Sequence, residues 1–384
     1  MRCCEVVAVS TEPRPGTEGY WESLAEEHGT EASSRLSKTN RADPQKRCER
    51  PSAHESRKQP LSRRDGITLR NEVRDLDNIH EDRPISWART MNRFDEYLDD
   101  KEDVKAVFED DAGNTAKGSQ PHRFAPEYAD KQYAKLKDLE RGISEDYGKL
   151  LHTAMLTFTA SATPDGDRVP PADHLDELNA SWDAIRRSLK RQLDGRRWEY
   201  LAILEPHGGG GDNHGYLHIH MAVFVEGVVS KETFAPVIEA HLRNCEYAGR
   251  DAHNTADDST ISVRHAGADR DLDDDEQLDE LAIYLAEYLG TYGEDPREAP
   301  EHVKAANALL WATGKQRWRP SNGAQQYMAA DDRETSENWE LVGIEKDGEL
   351  LHAGAEGGGV DTFTTGSLDP PDDPVNPGED LSER

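Results

Sequence analysis

The chain has 384 residues, of which 77 are acidic and 46 are basic, so its formal net charge is −31. Only 35% of the residues are hydrophobic, and part of the chain therefore lacks the apolar surface needed to offset its conformational entropy. The four cysteines form no Cys-x-x-Cys pair, which excludes a disulfide scaffold, and no apolar run approaches the ~18 residues of a membrane span. We expect a soluble cytoplasmic protein without a membrane partner.

Composition divides the chain into five segments. Residues 1–84 are rich in Ser, Arg, Glu and Pro and lack sustained periodicity, so we expect them to be mostly disordered. The other four segments are a helical accessory segment at 85–150, a patterned block at 151–293, a helical and basic extension at 294–330, and an acidic Gly/Asp/Pro-rich tail at 331–384. The tail is interrupted by a short strand pattern at 339–344.

The block 151–293 alternates between strand and helix periodicity. Its predicted elements in chain order are a strand at 151–160, a helix that begins after Pro170 and Pro171 and runs to 193, strands at 198–204 and 216–225, a helix from Ser230 to about 245, a strand at 259–265, and a helix at 276–292. This order is the βαββαβ pattern of an α+β protein, an antiparallel sheet with helices against one face. Its first and third strands are central.

Two histidines stand on the third strand of this block. His218 and His220 are two residues apart, so both imidazoles project from one face, whereas the apolar residues between and after them project from the other. Two imidazoles that converge on a rigid strand are suitable ligands for a divalent metal ion. A lone His-x-His is also compatible with an ordinary solvated or hydrogen-bonded pair.

The third ligand has three candidates. Glu205 ends the neighbouring strand and offers a carboxylate oxygen, but strand alternation groups it with Leu201 and Ile203, so it needs a twist or bulge to reach the site. His207 and His214 lie in the Gly-rich loop between the two strands and compete for the same role.

The last helix of the block carries two tyrosines. Tyr284 and Tyr288 are four residues apart and lie together on the flank of its apolar stripe. Their hydroxyls can extend towards a site on the sheet, although two half-buried core tyrosines would give the same pattern.

Three motifs in this order resemble the HUH (His-hydrophobic-His) endonucleases, specifically the rolling-circle replication initiators of small plasmids and viruses. Leu-Thr-Phe-Thr (156–159) is similar to the first motif, His-Ile-His (218–220) to the second, and Tyr-x-x-x-Tyr (284–288) to the third. The resemblance covers roughly 150–293. It extends less specifically to 315–322, which looks like a segment of initiators from haloarchaeal plasmids and viruses.

The resemblance implies a fold, a reaction and a set of partners. His218, His220 and Glu205 would bind Mg²⁺ or Mn²⁺ at the scissile phosphate, and Tyr284 or Tyr288 would attack it to form a 5′-phosphotyrosine and a free 3′-OH. The DNA would be a single-stranded or locally melted origin. Since the chain has no Gly-x-x-x-x-Gly-Lys-Ser/Thr motif, a host helicase and a host polymerase are expected partners.

Basic clusters are the expected DNA contacts. They are Arg186, Arg187, Lys190 and Arg191 along the first helix of the block, and Lys315, Arg317 and Arg319 around Trp318, whose ring could stack on an unpaired base. The overall acidity argues against DNA binding at low salt. However, the spread of acidic residues and an Arg excess of about two to one over Lys resemble proteins of salt-in halophilic archaea. At molar salt the Debye length is ~3 Å, so net charge acts only near contact distance.

Other functions remain open at this stage. An HUH relaxase or transposase shares the metal site but usually depends on one tyrosine or on a larger histidine cluster. A cupin-type metal enzyme would use His218, His220 and Glu226, although that fold needs more strands. A non-enzymatic DNA-binding βαββαβ module would use the same histidines and tyrosines only for packing.

Overall fold

The structure, a computed structural model, forms a mixed α+β protein with two antiparallel sheets, which confirms the predicted α+β class. It describes residues 59–74, 85–110, 113–119, 122–207, 215–267, 296–297, 299–328, 340–346 and 349–352. Within these ranges we find no helix with both the length and the apolar character needed to span a membrane.

The bounds of the elements follow in chain order. The helices are α1 (Asn71–Arg74), α2 (Trp87–Glu102), α3 (Pro126–Tyr147), α4 (Pro171–Ala180), α5 (Trp182–Gln192), α6 (Lys231–Asn244), α7 (Glu301–Thr313) and α8 (Asn322–Gln325). The strands are β1 (Val104–Glu109), β2 (Thr115–Ser119), β3 (Leu151–Phe158), β4 (Trp198–Pro206), β5 (Leu217–Glu226), β6 (Ile261–Arg264), β7 (Trp318–Pro320), β8 (Glu340–Lys346) and β9 (Glu349–His352). The predicted helix 276–292 lies outside the described residues.

The larger sheet has five strands in the order β6-β3-β5-β4-β7, and all neighbours are antiparallel. The histidine strand β5 is its central strand, between β3 and β4. From β3 to β6 the chain runs strand, two helices, two strands, helix, strand. The predicted helix up to residue 193 is divided at Ser181, whose hydroxyl donates to the carbonyl of Leu178 at 3.0 Å. Such side-chain bonds to the backbone compete with continuation of a helix.

Both faces of this sheet are covered, so the predicted arrangement with helices against one face was incomplete. One face carries the larger core, in which Ile219 and Met221 of β5 pack with residues of α4, α5, α6 and α7. On the other face α3 packs its apolar stripe against β4 and β5, in a second core that includes Leu139, Ile203 and Phe224. The histidine-bearing face of β5 is therefore a core face over part of its length.

The second sheet joins two distant parts of the chain in the order β2-β1-β8-β9. The accessory segment 85–150, predicted as helical, also contains the hairpin β1–β2, and β8 contains most of the predicted tail strand 339–344. Strand β8 pairs along the whole of β1, with a register shift after Val107. The acidic tail thus contributes two strands to the folded protein.

A part of the N-terminal segment is also packed into the structure. Leu61 and Val73 are fully buried in the larger core. The backbone N–H of Leu61 donates to the carbonyl of Ile85 at 2.7 Å, and its carbonyl accepts from Ala172 at 3.0 Å. Residues 59–74 thus contribute to this core; they fall in the range 1–84, of which the rest lies outside the described residues.

Two truncations are expected to separate the roles of the tail. Removal of 353–384 should leave the thermal unfolding midpoint unchanged, whereas removal of 340–384 should lower it, because β1 loses its partner β8 and exposes an unpaired edge. Calorimetry on both proteins tests this, and equal midpoints would contradict the structural role of β8.

Candidate metal centre

Three side chains converge at one end of the β4–β5 pair. The Oε2 of Glu205 lies 2.9 Å from the Nε2 of His218 and 2.5 Å from the Nε2 of His220, and the two Nε2 atoms are 2.9 Å apart. Glu205 and His220 are buried and His218 is half-buried. Among the described residues, this is the group of three or more potential ligands close enough to hold a metal ion.

Strand register explains this convergence. Glu205 is directly opposite His218, and Ile203 is directly opposite His220, so the parity that groups Glu205 with Ile203 is also the parity of the histidines. The expected need for a twist or bulge was therefore wrong, because it assumed that only one face of the sheet is apolar. The face of β4 and β5 that carries Ile203, Glu205 and the two histidines is part of the core beneath α3. Towards the end of the pair where Glu205 and His218 lie, the same face becomes polar.

The charges of the group suit a cation. Burial alone would raise the pKa of Glu205, but the adjacent His218 and His220 outweigh this effect and lower it to about 2, so the carboxylate is ionised. Burial lowers the pKa of His220, which favours the neutral imidazole that a metal requires.

The orientation of the donor atoms provides a test of fit. The Oε2 of Glu205 is buried and has no hydrogen-bond donor in suitable geometry, although it lies at ion-pair distance from both imidazoles. A divalent cation where the three atoms meet would stabilise this oxygen. Two imidazoles and one carboxylate are a donor set suited to Mn²⁺ and other first-row ions and compatible with Mg²⁺. The residues present therefore fit a divalent metal ion.

Thr157 of β3 contacts this group, and the sequence analysis did not single it out, although it lies in the Leu-Thr-Phe-Thr motif. It is directly opposite His220, and its Oγ1 lies 3.1 Å from the Nδ1 of that histidine. When the Nδ1–H donates to this hydroxyl, the Nε2 lone pair is directed towards Glu205 and His218. The β3–β5 register, which a single strand pattern does not reveal, is what identifies Thr157.

Replacement of this hydroxyl is expected to weaken metal binding without unfolding the protein. Thr157→Val keeps the side-chain shape but removes the partner of His220, a loss that typically costs roughly 10- to 100-fold in metal affinity. Titration with Mn²⁺ measures the effect. Thr153→Val is the matched control, because Thr153 lies on the same face of β3 opposite Phe224, away from the group. Equal affinities for both variants would show that Thr157 does not orient His220.

His207 and His214 were the other two candidates for the third ligand. The ring of His207 lies beside that of His218 at 4.6 Å between centroids, and its backbone N–H donates to the carbonyl of Tyr216 at 3.0 Å. It is not part of the converging group. Burial and the nearby His218 and His174 lower its pKa to about 3, which keeps it neutral. His214 lies outside the described residues.

Two further histidines fix the residue that follows β3. The Nε2 of His241 lies 2.9 Å from the carbonyl oxygen of Thr159, and the N–H of Thr159 donates to the Nε2 of His253 at 3.1 Å. Thr159 belongs to the Leu-Thr-Phe-Thr motif, so both of its backbone polar groups are held by imidazoles. We call this pair of contacts from His241 and His253 the histidine clamp. It holds the C-terminal end of β3 next to the Glu205–His218–His220 group.

The histidine clamp is expected to make the folded protein less stable at acidic pH. Burial lowers the pKa of His241 from 6.5 to about 4, so at pH values between these two the unfolded chain binds more protons than the folded one. The free energy of unfolding should thus fall as the pH drops from 6.5 to about 4, by up to about 3 kcal/mol. His241→Gln retains a donor but does not titrate, so urea unfolding should show a shallower pH dependence. Identical slopes for the two proteins would contradict the assignment.

The predicted tyrosines and basic residues are distributed as follows. Tyr284 and Tyr288 lie outside the described residues. Arg186, Arg187, Lys190 and Arg191 are exposed on α5, which packs on the sheet face opposite the Glu205–His218–His220 group. Their contact with DNA stays a prediction.

The basic segment around β7 is divided by strand alternation. Arg317 donates to the side chain of Asn307 and is directed into the protein. Trp318 packs against the second core, and its Nε1–H donates to the hydroxyl of Tyr128 at 3.4 Å. Arg319 points to the opposite face, where its guanidinium covers the ring of Trp182. Lys315 is half-buried, and its carbonyl accepts from Arg123 at 2.9 Å.

Comparison with known proteins identifies the family. The family described as "Putative rep protein (DUF1424)" matches residues 58–361, a range that includes every described residue. The chain belongs to this family. Its description indicates a role in the initiation of replication and an interaction with DNA.

Its relatives come from halophiles. An "Uncharacterized 36 kDa protein" of Halobacterium salinarum is 44% identical over 299 residues, which cover 76% of this chain and 92% of that protein. A protein with the same description from Halobacterium sp. (strain GN101) is 42% identical over 296 residues, 74% of this chain and 89% of its own length. "Uncharacterized protein 1" of Halorubrum pleomorphic virus 1 is 28% identical over 177 residues, 38% of this chain and 31% of the viral protein. No solved structure matches the chain. These sources fit the salt-adapted composition.

Proposed function

We propose that this protein initiates rolling-circle replication as an HUH-type endonuclease that nicks and rejoins one DNA strand. The observation that carries the proposal is the convergence of Glu205, His218 and His220 on the two adjacent strands β4 and β5. The description of the family and the strand–helix order of β3 to β6 support it.

The three side chains would hold Mg²⁺ or Mn²⁺ and place it at a DNA phosphate. When bound, such an ion polarises the phosphorus–oxygen bonds and stabilises the negative charge that develops during transfer. Glu205 supplies negative charge, His218 lies at the more exposed side of the group, and Thr157 fixes the ring of His220. The rigid β3–β5–β4 register keeps these donors in place before the DNA binds.

The covalent step is assigned to Tyr284 or Tyr288. The tyrosine hydroxyl loses its proton and attacks phosphorus, the bond from phosphorus to the 3′ oxygen breaks, and that oxygen takes up a proton to become a 3′-OH. The new phosphotyrosine ester conserves the energy of the cleaved bond. A host polymerase extends the 3′-OH after a host helicase opens the duplex. The second tyrosine then cleaves the regenerated origin, and the released 3′-OH attacks the first phosphotyrosine to close the circle.

The position of Glu226 argues against the cupin-type alternative. This residue is at the other end of β5, opposite Leu151, and its carboxylate lies 3.4 Å from Arg197. It therefore cannot join His218 and His220 at one ion.

The direct test is covalent capture. Incubation of the full chain with single-stranded origin oligonucleotides and Mn²⁺ in molar salt should give a protein–DNA adduct that survives denaturing electrophoresis. A chelator should prevent its formation. If no origin-derived strand forms an adduct, the enzymatic proposal fails.

A further inference from the structure

We propose that a second surface of this protein binds single-stranded DNA by stacking on its bases. This surface, the aromatic–arginine patch, consists of Trp182, Trp198, Tyr200, Arg186 and Arg319. This inference goes beyond the proposed function, because binding to the patch requires neither the metal ion nor the proposed nucleophiles Tyr284 and Tyr288.

The patch is built from three elements at the β7 edge of the five-stranded sheet. The guanidinium of Arg319 lies 5.1 Å from the centre of the Trp182 ring. Trp182, at the start of α5, meets Tyr200 of β4 edge-on at 6.0 Å between ring centres. Tyr200 in turn stacks with Trp198 at 6.2 Å and an interplanar angle of 24°. The planar groups thus form one continuous series.

Strand register places these side chains on one face. Arg319 is directly opposite Ala202, so it shares the parity of Trp198 and Tyr200. Tyr200 is buried and forms the base of the patch, whereas both tryptophans are partly exposed. The positive charge of Arg186 acts on the Tyr200 hydroxyl, where it opposes the increase in pKa caused by burial, and Arg187, Lys190 and Arg191 are exposed further along α5.

The chemistry of this face matches an unpaired nucleic-acid strand. Indole and guanidinium planes stack on bases of any sequence, and neighbouring cations bind the phosphates. In a duplex the base faces are already stacked on each other, so the occupant is single-stranded. At molar salt the Debye length is ~3 Å, and contact interactions such as stacking then contribute more than long-range attraction. A stacking surface can therefore function in a protein whose net charge is −31.

The patch is separate from the metal-binding group. Glu205 is seven positions after Trp198 along β4, a distance of about 23 Å at a rise of ~3.3 Å per residue. The two sites also have opposite parity and therefore face opposite sides of the sheet. The patch would hold a segment of strand away from the phosphate that is cut.

Binding of a labelled oligothymidylate to the full chain, in chelator and molar salt, tests the patch without cleavage. Trp198→Ala should weaken binding about tenfold, in line with the loss of one base–aromatic stack. Trp198→Phe keeps a ring and should retain most of the affinity. Arg186→Ala should also weaken binding, whereas Arg250→Ala should not, because Arg250 is an exposed arginine on another part of the surface, paired with Glu239.

Photocrosslinking of the wild type guards against variants that fail to fold. An iodouracil-containing strand should crosslink to peptides that contain Trp182 or Trp198. Unchanged affinity of Trp198→Ala, crosslinks only outside the patch, or equal binding of a duplex would each overturn the inference. Because none of these readouts needs an adduct, failure of nicking with patch-dependent binding intact would reject only the proposed function.

Discussion

Glu205→Gln is expected to abolish detectable Mn²⁺ binding and to slow nicking roughly a thousandfold. The variant replaces the charged ligand of the group with a neutral amide of the same shape, so the two imidazoles lose the carboxylate that lies 2.5 to 2.9 Å from them. Metal-ion catalysis is worth several kcal/mol, and about 4 kcal/mol corresponds to three orders of magnitude in rate. His220→Ala should behave in the same way. Titration with Mn²⁺ and single-turnover nicking measure the two effects.

Glu226→Gln is the matched control for this prediction. Both glutamates lie on the paired strands β4 and β5, but Glu226 stands at the far end of β5 beside Arg197. The control should bind metal and nick like the wild type. Since Glu205→Gln removes a buried charge, it should also remain folded, and thermal unfolding checks this. If Glu205→Gln retained full metal affinity while His220→Ala lost it, a histidine such as His207 or His214 would have to be the third ligand.

The sequence was sufficient to predict the local geometry of the histidines. Alternation along 216–225 predicted that Ile219 and Met221 face a core and that His218 and His220 share the other face, and the structure has this arrangement. It was not sufficient to place Glu205, because its face depends on pairing across the sheet. The assumption of a single apolar face made Ile203 look incompatible with the site, whereas Ile203 packs under α3 at the same face.

Long-range pairing accounts for the remaining differences. Strand β1 has a strand-like pattern, but its partner β8 lies in the acidic tail, and neither local composition nor periodicity records that the two meet. The same holds for Leu61, which is buried by residues far along the chain although its own neighbourhood is polar. The split between α4 and α5 depends on the Ser181 side chain, which contacts both Leu178 and His241. A hydrophobic pattern shows none of these contacts.

Replacement of both Tyr284 and Tyr288 by phenylalanine is expected to eliminate the covalent adduct while metal affinity stays unchanged. Phenylalanine retains the ring but lacks the attacking oxygen, and neither tyrosine belongs to the proposed ligand set. The two readouts should thus distinguish the variants. Glu205→Gln should lose both metal binding and adduct formation, whereas the double tyrosine variant should lose only adduct formation. Denaturing electrophoresis with labelled origin strands and Mn²⁺ titration provide the two readouts.

The single variants distinguish one-tyrosine from two-tyrosine chemistry. If the tyrosines act in successive cleavages, Tyr284→Phe or Tyr288→Phe alone should still form an adduct on a simple origin strand, but release of a closed circle should stop, since no second nucleophile remains. If one single variant alone removes every adduct, the other tyrosine is a packing residue and the enzyme resembles a relaxase in its use of one nucleophile. An adduct that persists in the double variant would place the nucleophile elsewhere in the chain and reject this assignment.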